Sequence, residues 1–429
     1  MSTAMMNEAT AETASPSRSV RALGALNFFL ADVRDGLGPF LGVFLIGQGW
    51  SAATIGYVMT VGGIAGMLAT TPLGALADAT RAKRAMVAVC AVLAILASLL
   101  ILFVPTVPMV AASQIATGIA GAAIGPAIAA LTLGLVGQAG LAFQLGRNEA
   151  WNHGGNVVAA ALSGLFGYWY GLPAVFVLMT IMAVGSLVAL ALIRPSDIDH
   201  EVARGLETGS QEKGSAPEGL KTLLRNRRLL VLAACLMMFH LGNGGLLPLL
   251  GLRVASDGSV DPAAYTAATI IIAQLTMIPL ALVASRIARA RGYFLVLLAA
   301  LVALPIRGLI AGLWGDLYSL VPVQVLDGVG AGLLGVAVPG LVAQIMRGTG
   351  RVNVAFGAVM TVQGIGASLS PSVGGYIAST FGYSTAFVTL GLFAVPALCL
   401  WIVCGAMFAK PDGDGRRERE TSGGETASL

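Results

Sequence analysis

The stretch NFFLADVRDGLGPFLGVFL, Asn27 to Leu45, decides how the chain is read. It is apolar enough for a lipid bilayer, yet Asp32, Arg34 and Asp35 fall within four positions. A charge near the bilayer centre is costly. Such residues therefore line a pathway, pair with a partner, or show that the segment is not a span. The sequence around the stretch chooses between these.

Of the 429 residues, 56% are hydrophobic and only 11% charged, with a mean hydropathy of +0.84. Soluble domains carry about a quarter charged residues, so this composition cannot cover a water-facing surface and describes an integral membrane protein. The four cysteines, Cys90, Cys235, Cys399 and Cys404, lie in apolar runs without metal-like spacing, which supports neither a disulfide framework nor a metal site. No cofactor motif is visible. The first 20 residues are polar and lack the apolar core of a cleavable signal. The net charge of +4 does not suggest nucleic acid, because the position of the charges says more than their sum.

Apolar runs of about 20 residues, the length that spans a bilayer as helix, occur at 22–47, 53–77, 85–104, 108–133, 146–168, 173–193, 229–252, 263–285, 293–313, 317–341, 353–377 and 384–408. The expected fold is all-α, with twelve transmembrane helices in two six-helix bundles. The expected organisation is a disordered N-terminus (1–20), a first bundle (21–193), a linker (194–228), a second bundle (229–409) and a disordered tail (410–429). The linker is rich in Gly, Ser, Glu and Lys, with a short amphipathic helix expected at Leu220–Leu224. Charge placement supports this map. Of 25 Lys and Arg, all but Arg34, Arg253 and Arg307 lie at the termini or in even-numbered connections. Those connections include Arg81, Lys83 and Arg84, then Arg147, then Arg286, Arg289 and Arg291. The excess marks the cytoplasmic side and places both termini there.

The halves repeat. GLGPFLG (Gly36–Gly42) matches GLLPLLG (Gly245–Gly251), QIATGIAGAAIG (Gln114–Gly125) matches QVLDGVGAGLLG (Gln324–Gly335), and GLPAVFV (Gly171–Val177) matches GYSTAFV (Gly382–Val388). Three matches in order at a nearly constant offset indicate a parallel repeat, which places a site between the halves near the midplane.

With these features the chain resembles the major facilitator superfamily over essentially its whole length. The family's motif between the second and third spans reads Gly-x-x-x-Asp-basic-x-Gly-basic-basic. GALADATRAKR supplies Gly74, Asp78, Lys83 and Arg84, with Ala79 in place of the first basic residue and Arg81 in place of the second glycine. The resemblance implies a cytoplasmic gate built on Gly74, Asp78, Arg81, Lys83 and Arg84. Proton-coupled exporters of the family place an Arg in the fourth span where this chain has Gln114, four residues before Gly118. Their Gly-Pro-x-x-Gly-Gly element is absent from the fifth span, while the eleventh carries SPSVGG (Ser370–Gly375).

The intramembrane polar residues are the candidate site. At 1.5 Å per residue Asp32 lies roughly 16 Å into the first span, near the middle of a hydrocarbon core about 30 Å thick. Asp32 and Asp35 share a helix face, while Arg34 points elsewhere and needs another partner, a substrate anion or water. In the seventh span FHLGNGGLLP puts His240 near the midplane and Asn243 at the repeat position of Arg34, on a weak, glycine-rich helix suited to bending. Asp327 in the tenth span is again near mid-depth. The resemblance implies that the first, fourth, seventh and tenth spans line one cavity. Asp32, Asp35 and Asp327 are the proton-coupling candidates. Arg34, His240, Asn243, Gln114, Gln324, Asn152, His153 and Asn156 are the substrate-binding candidates.

Glu149, Asn152, His153 and Asn156 fall on one face of the fifth span, which is expected to face the bundle interior, with Glu149 at the gate end. The amides and His153 serve equally well as interhelical hydrogen-bond partners. Arg307 reads as structural: the ninth span is peripheral, and near its outer edge a long side chain can snorkel.

These residues point to a secondary transporter that moves a small organic solute by alternating access. The expected mode is proton-coupled efflux by a monomer in the cell's inner membrane. Uptake of an anionic metabolite clamped by Arg34 is the alternative. A non-transporting receptor or scaffold would need neither the buried charges nor such short connections. A membrane enzyme would need nucleophile, phosphate-binding or paired metal-ligand motifs that the sequence lacks.

Overall fold

The structure is a computed structural model that describes residues 18–34, 37–200, 202, 225–258, 260–346 and 352–408. Its described residues form helices and turns. The first half contains α1 (Arg18–Arg34), α2 (Gly38–Gly47), α3 (Ala52–Ala79), α4 (Lys83–Phe103), α5 (Val107–Tyr170) and α6 (Pro173–Leu192). The second contains α7 (Arg227–Asn243), α8 (Leu246–Asp257), α9 (Pro262–Arg291), α10 (Phe294–Leu313), α11 (Leu320–Ile345), α12 (Val352–Phe381), α13 (Tyr383–Leu392) and α14 (Ala394–Val403). Among the described residues nine helical stretches are long and apolar enough to cross a membrane. They coincide with nine of the expected spans. The first, fifth and eleventh expected spans fall on α1–α2, the later part of α5, and α12.

Three features depart from simple rods, each for a local reason. The fourth and fifth expected spans are joined in the 64-residue α5, broken only at Gly137 with φ 66° and ψ 179°. A positive φ is readily adopted only by glycine, so the connection expected at 134–145 is compressed into one residue and the helix resumes at once. The seventh expected span is broken between α7 and α8, as its glycines predict. Gly244 N–H still bonds His240 O at 2.9 Å, while Gly245 N–H is taken by Ser370 Oγ of α12 at 2.7 Å. The backbone freed by the break thus finds its partner on a neighbouring helix. The first expected span is divided into α1 and α2 around residues 35 and 36, which lie outside the described residues.

The chain begins its first helix earlier than expected. Residues 18–20, read from sequence as part of a disordered arm, are helical, and Ser19 is fully buried. Ser19 Oγ donates to Asp197 Oδ2 at 2.5 Å and accepts Arg194 N–H at 3.1 Å, so the helix start is tied to the first residues of the linker. Residues 1–17, the amphipathic helix expected at Leu220–Leu224, and residues 409–429 lie outside the described residues.

Within the first half, α5 packs against α1, α3 and α4, and α6 closes on α1. Within the second, α9 and α10 pack on α11, and α12 on α7. The halves meet along three seams: α3 with α12, α5 with α9, and α2 with α8. Small residues allow that approach. An added Cβ at Gly56 would fall 2.1 Å from Pro371 O, and one at Gly164 would fall 2.4 Å from the Ala267 side chain. Polar bonds join the same surfaces: Ser372 Oγ lies 2.7 Å from Thr60 Oγ1, and Ala53 N–H donates to Ser379 Oγ at 2.9 Å. These contacts gather at the ends of the helices near residues 52, 170, 262 and 381. The opposite ends, near Ala77, Arg147 and Arg291, contribute none of them.

Candidate functional site

The second half holds the best-defined polar centre. Arg307 of α10 is 1% exposed, and its Nη1 donates to Asp327 Oδ1 of α11 and to Asn243 Oδ1 of α7, both at 2.6 Å. The expectation that Arg307 snorkels from a peripheral helix is corrected. It points inward because an acid stands on the adjacent helix, and because α10 packs backbone-close on α13, where an added Cβ on Gly308 would fall 2.6 Å from Gly391 Cα. Arg307 lies six residues from the end of α10 and Asp327 seven from the start of α11, so both sit about 10 Å inside their helices. Asn243 is the last residue of α7, placed by the break that the glycines create.

The centre is only partly satisfied. Arg307 Nε and Nη2 are buried without a hydrogen-bond partner among the described residues. Gln324, one turn before Asp327, is fully buried with neither amide atom bonded among the described residues. Asp327 itself is 16% exposed in its side chain. The ion pair is thus enclosed at Arg307 and partly exposed at Asp327.

His240 is half-buried, its Nδ1 bonds Leu236 O at 2.9 Å, and its ring meets Phe239 edge-on. The fifth-span face divides three ways. His153 Nδ1 reaches across the seam to Gln274 Oε1 of α9 at 2.8 Å. Glu149 and Asn152 line a 260 Å³ cavity with Asn27 of α1 and Ile124 of the early part of α5. Asn156 is half-buried farther along. At the wall of that cavity Gln144 donates to Asn148 and Asn148 to Thr132, both at 2.9 Å, a buried chain that the sequence reading missed. Its signal was the i, i+4 spacing of Gln144 and Asn148. Gln114 is half-buried, with its backbone against α3 at Gly62.

Asp32 is half-buried in α1. Asp35 and the side chains of Arg34 and Asp78 lie outside the described residues. Of the remaining gate residues, Gly74 has open space beside it, and Arg81 is exposed. Lys83 is fully buried with Nζ donating to Thr80 O at 2.8 Å, and Arg84 Nη2 donates to Leu190 O at 3.2 Å. Lys83 and Arg84 therefore bond within the first half in this conformation.

A helical, multi-pass membrane protein with apposed halves and a buried polar centre is the architecture of a membrane carrier. The chain belongs to the Major Facilitator Superfamily, whose family model matches residues 22–314. It is 42% identical over 412 residues to two uncharacterised MFS-type transporters of Mycobacterium tuberculosis, from strains CDC 1551 and H37Rv. The match covers 96% of this chain and 98% of each relative. The fold resembles that of a mutant of the nucleoside transporter NupG, with TM-score 0.75, 16% identity, and 90% and 99% of the two chains covered. It also resembles an inward-facing, unoccupied bacterial homologue of the human lysosomal transporter Spinster, with TM-score 0.73, 15% identity, and 93% and 100% covered. The protein is thus an MFS-type transporter.

Proposed function

We propose that this protein is a twelve-helix, proton-coupled exporter of a small organic solute, with both termini cytoplasmic, working in the cell's inner membrane. The observation that carries the coupling is the Arg307–Asp327–Asn243 centre, a carboxylate and a buried cation held by one 2.6 Å contact. With a proton on Asp327 the pair is broken, and Arg307 keeps Asn243 while the rest of its guanidinium turns to a ligand or water. Without it the pair re-forms. Each protonation state thereby favours a different arrangement of α7, α10 and α11, the requirement for exchanging a proton against a solute. Asp32 on α1 is the second proton candidate.

The positive-inside count makes the closed end external, so the conformation is inward-open. The gate residues Gly74, Asp78, Arg81 and Glu149 then lie at the open end, where they would meet the second half on closure. Export is favoured by analogy with the family's many broad exporters, which share this plain architecture, and by the lack of a dedicated solute signature in the sequence. Nucleosides are sensible first solutes to test, given the likeness in fold to a nucleoside transporter.

The test is transport in proteoliposomes under an imposed pH gradient. A solute found by thermal-shift screening should accumulate against its own gradient when the pH gradient is applied. Asp327→Asn should abolish that accumulation while leaving gradient-independent exchange. If Asp327→Asn and Asp32→Asn both transport with unchanged pH dependence, proton coupling through these acids is wrong.

A further inference from the structure

Gln324 and Arg307 each keep unbonded polar atoms at full burial. Neither amide atom of Gln324 has a partner among the described residues, and neither do Arg307 Nε and Nη2. Gln324 is 0% exposed and Arg307 1%. A carboxamide oxygen accepts two hydrogen bonds and a guanidinium carries five donors. Each group therefore lacks what the other offers. The first half repeats Gln324 as Gln114 but has Thr117 at the position of Asp327, so an amide beside an acid occurs only in the second half.

α10 and α11 are consecutive and packed together. Counted from their adjoining ends, Leu313 and Leu320, the Cα atoms lie about 6 Å in for Gln324, about 9 Å for Arg307 and about 10 Å for Asp327. Arg307 thus stands at a level between the amide and the acid. Gln324 and Asp327 are three residues apart, neighbours on one helix surface with Cβ atoms about 5–6 Å apart. In this conformation Arg307 Nη1 bonds Asp327 and Asn243, and Gln324 receives nothing. Other ionisable groups on the surrounding helices are engaged elsewhere. His240 of α7 bonds Leu236 O, and Arg253 of α8 bonds Ala311 O and Gly315 O at the outer end of α10. The arginines of α7 and α9 stand at the opposite ends of their helices.

We propose that Gln324 is the standby acceptor for Arg307. When Asp327 takes a proton, the free part of the guanidinium shifts one turn along α11 and Gln324 Oε1 receives it, while Nη1 keeps Asn243. This rests on the proton-coupled reading above and gives the displaced guanidinium an acceptor within the protein. The ionised acid holds Arg307 because a hydrogen bond between charged groups is roughly twice as strong as a neutral one. A neutral carboxyl loses that advantage, and the amide then competes. Gln324 is a positioning residue: it acts on Arg307 and gives the second protonation state a defined arrangement of α10 against α11.

The experiment is a stability cycle on the full chain purified in neutral detergent, read as melting temperature without any solute. Asp327→Asn stands in for the protonated acid. In the wild type, Gln324→Met should leave the melting temperature unchanged or raise it. In Asp327→Asn the same substitution should lower it by about 2 °C or more, as for the loss of a hydrogen bond to a charged group. With Arg307→Leu also present, this reversal should vanish. Asp327→Asn with Gln324→Glu moves the acid by one turn and should recover most of the stability lost in Asp327→Asn. That variant keeps the test decisive if Asp327→Asn alone folds poorly. An effect of Gln324→Met in the same direction in both chains, a reversal that survives Arg307→Leu, or no recovery with Gln324→Glu would each overturn the assignment. A missing reversal defeats the role of Gln324 and leaves the coupling reading standing. Unchanged pH dependence of transport in Asp327→Asn defeats the coupling through Asp327, and with it the occasion for the shift, whatever the cycle shows.

Discussion

At the scale of single residues, Arg307 and Asp327 show how burial changes the meaning of a charge. Removing one partner of a buried pair leaves the other uncompensated, which typically costs about 3–5 kcal/mol. Arg307→Leu should therefore lower stability by that order in a detergent unfolding titration. Arg307→Leu combined with Asp327→Leu should cost clearly less than the sum of the two single variants. Additive single effects would show that the pair does not act as a unit. Gln324 makes the opposite case. Its amide is fully buried with neither atom bonded to the described residues, so it contributes a desolvation cost with no bond to offset it. Gln324→Met, similar in length and shape, should be neutral or stabilising by thermal shift. Marked destabilisation would mean that the amide has a partner, such as an ordered water. The candidate acids and Asn243 were legible from sequence because charges and amides are rare in apolar runs. Arg307 was misplaced for a physical reason: nothing in a single helix says which face its neighbour covers. A charge count would have helped, since Arg307 in the ninth span and Asp327 in the tenth are opposite charges on consecutive helices.

At the scale of elements, SPSVGG in α12 acquires a role its sequence did not declare. Ser370 caps the start of α8, Pro371 O meets Gly56, Ser372 bonds Thr60, and Gly375 approaches Ala52. One segment thus stabilises the break in α7–α8 and forms the closed seam with α3. An added Cβ on Gly375 would stand 2.3 Å from Ala52 O, a backbone atom that cannot yield without moving α3. Gly375→Val should therefore destabilise the closed end. Spin labels on α3 and α12 near that end should report a longer distance than in the wild type, and an unchanged distance would refute the role. The break after Asn243 was legible because glycines weaken a helix wherever they gather. The partner of the freed Gly245 N–H was not, because Ser370 is 125 residues away.

At the scale of the whole molecule, a carrier that alternates must open the end that is closed here. Ala53 N–H and Ser379 Oγ are 2.9 Å apart across the α3–α12 seam, so cysteines at these two positions are expected to lie within cross-linking reach. In a chain whose four native cysteines have been replaced, Ala53→Cys with Ser379→Cys should stop transport on oxidation and restore it on reduction. Transport that continues through the cross-linked protein would show that this seam does not open in the cycle.

The sequence by itself determined the membrane class, the positions of the apolar spans, the internal repeat and the family. All of these follow from composition, periodicity and short motifs, which are properties of neighbouring residues along the chain. It also gives Asp32, His240 and Asp327 expected depths near the middle of their spans, since a helix converts residue number into distance at a fixed rise. Only the tertiary structure decided that Arg307 turns inward to Asp327, that His153 crosses to Gln274, and that Lys83 and Arg84 donate to backbone carbonyls of their own half. Those outcomes depend on which helix lies beside which, and on how closely glycines let their backbones approach. Helix rotation and packing are set by contacts between residues far apart in sequence, which no local pattern records.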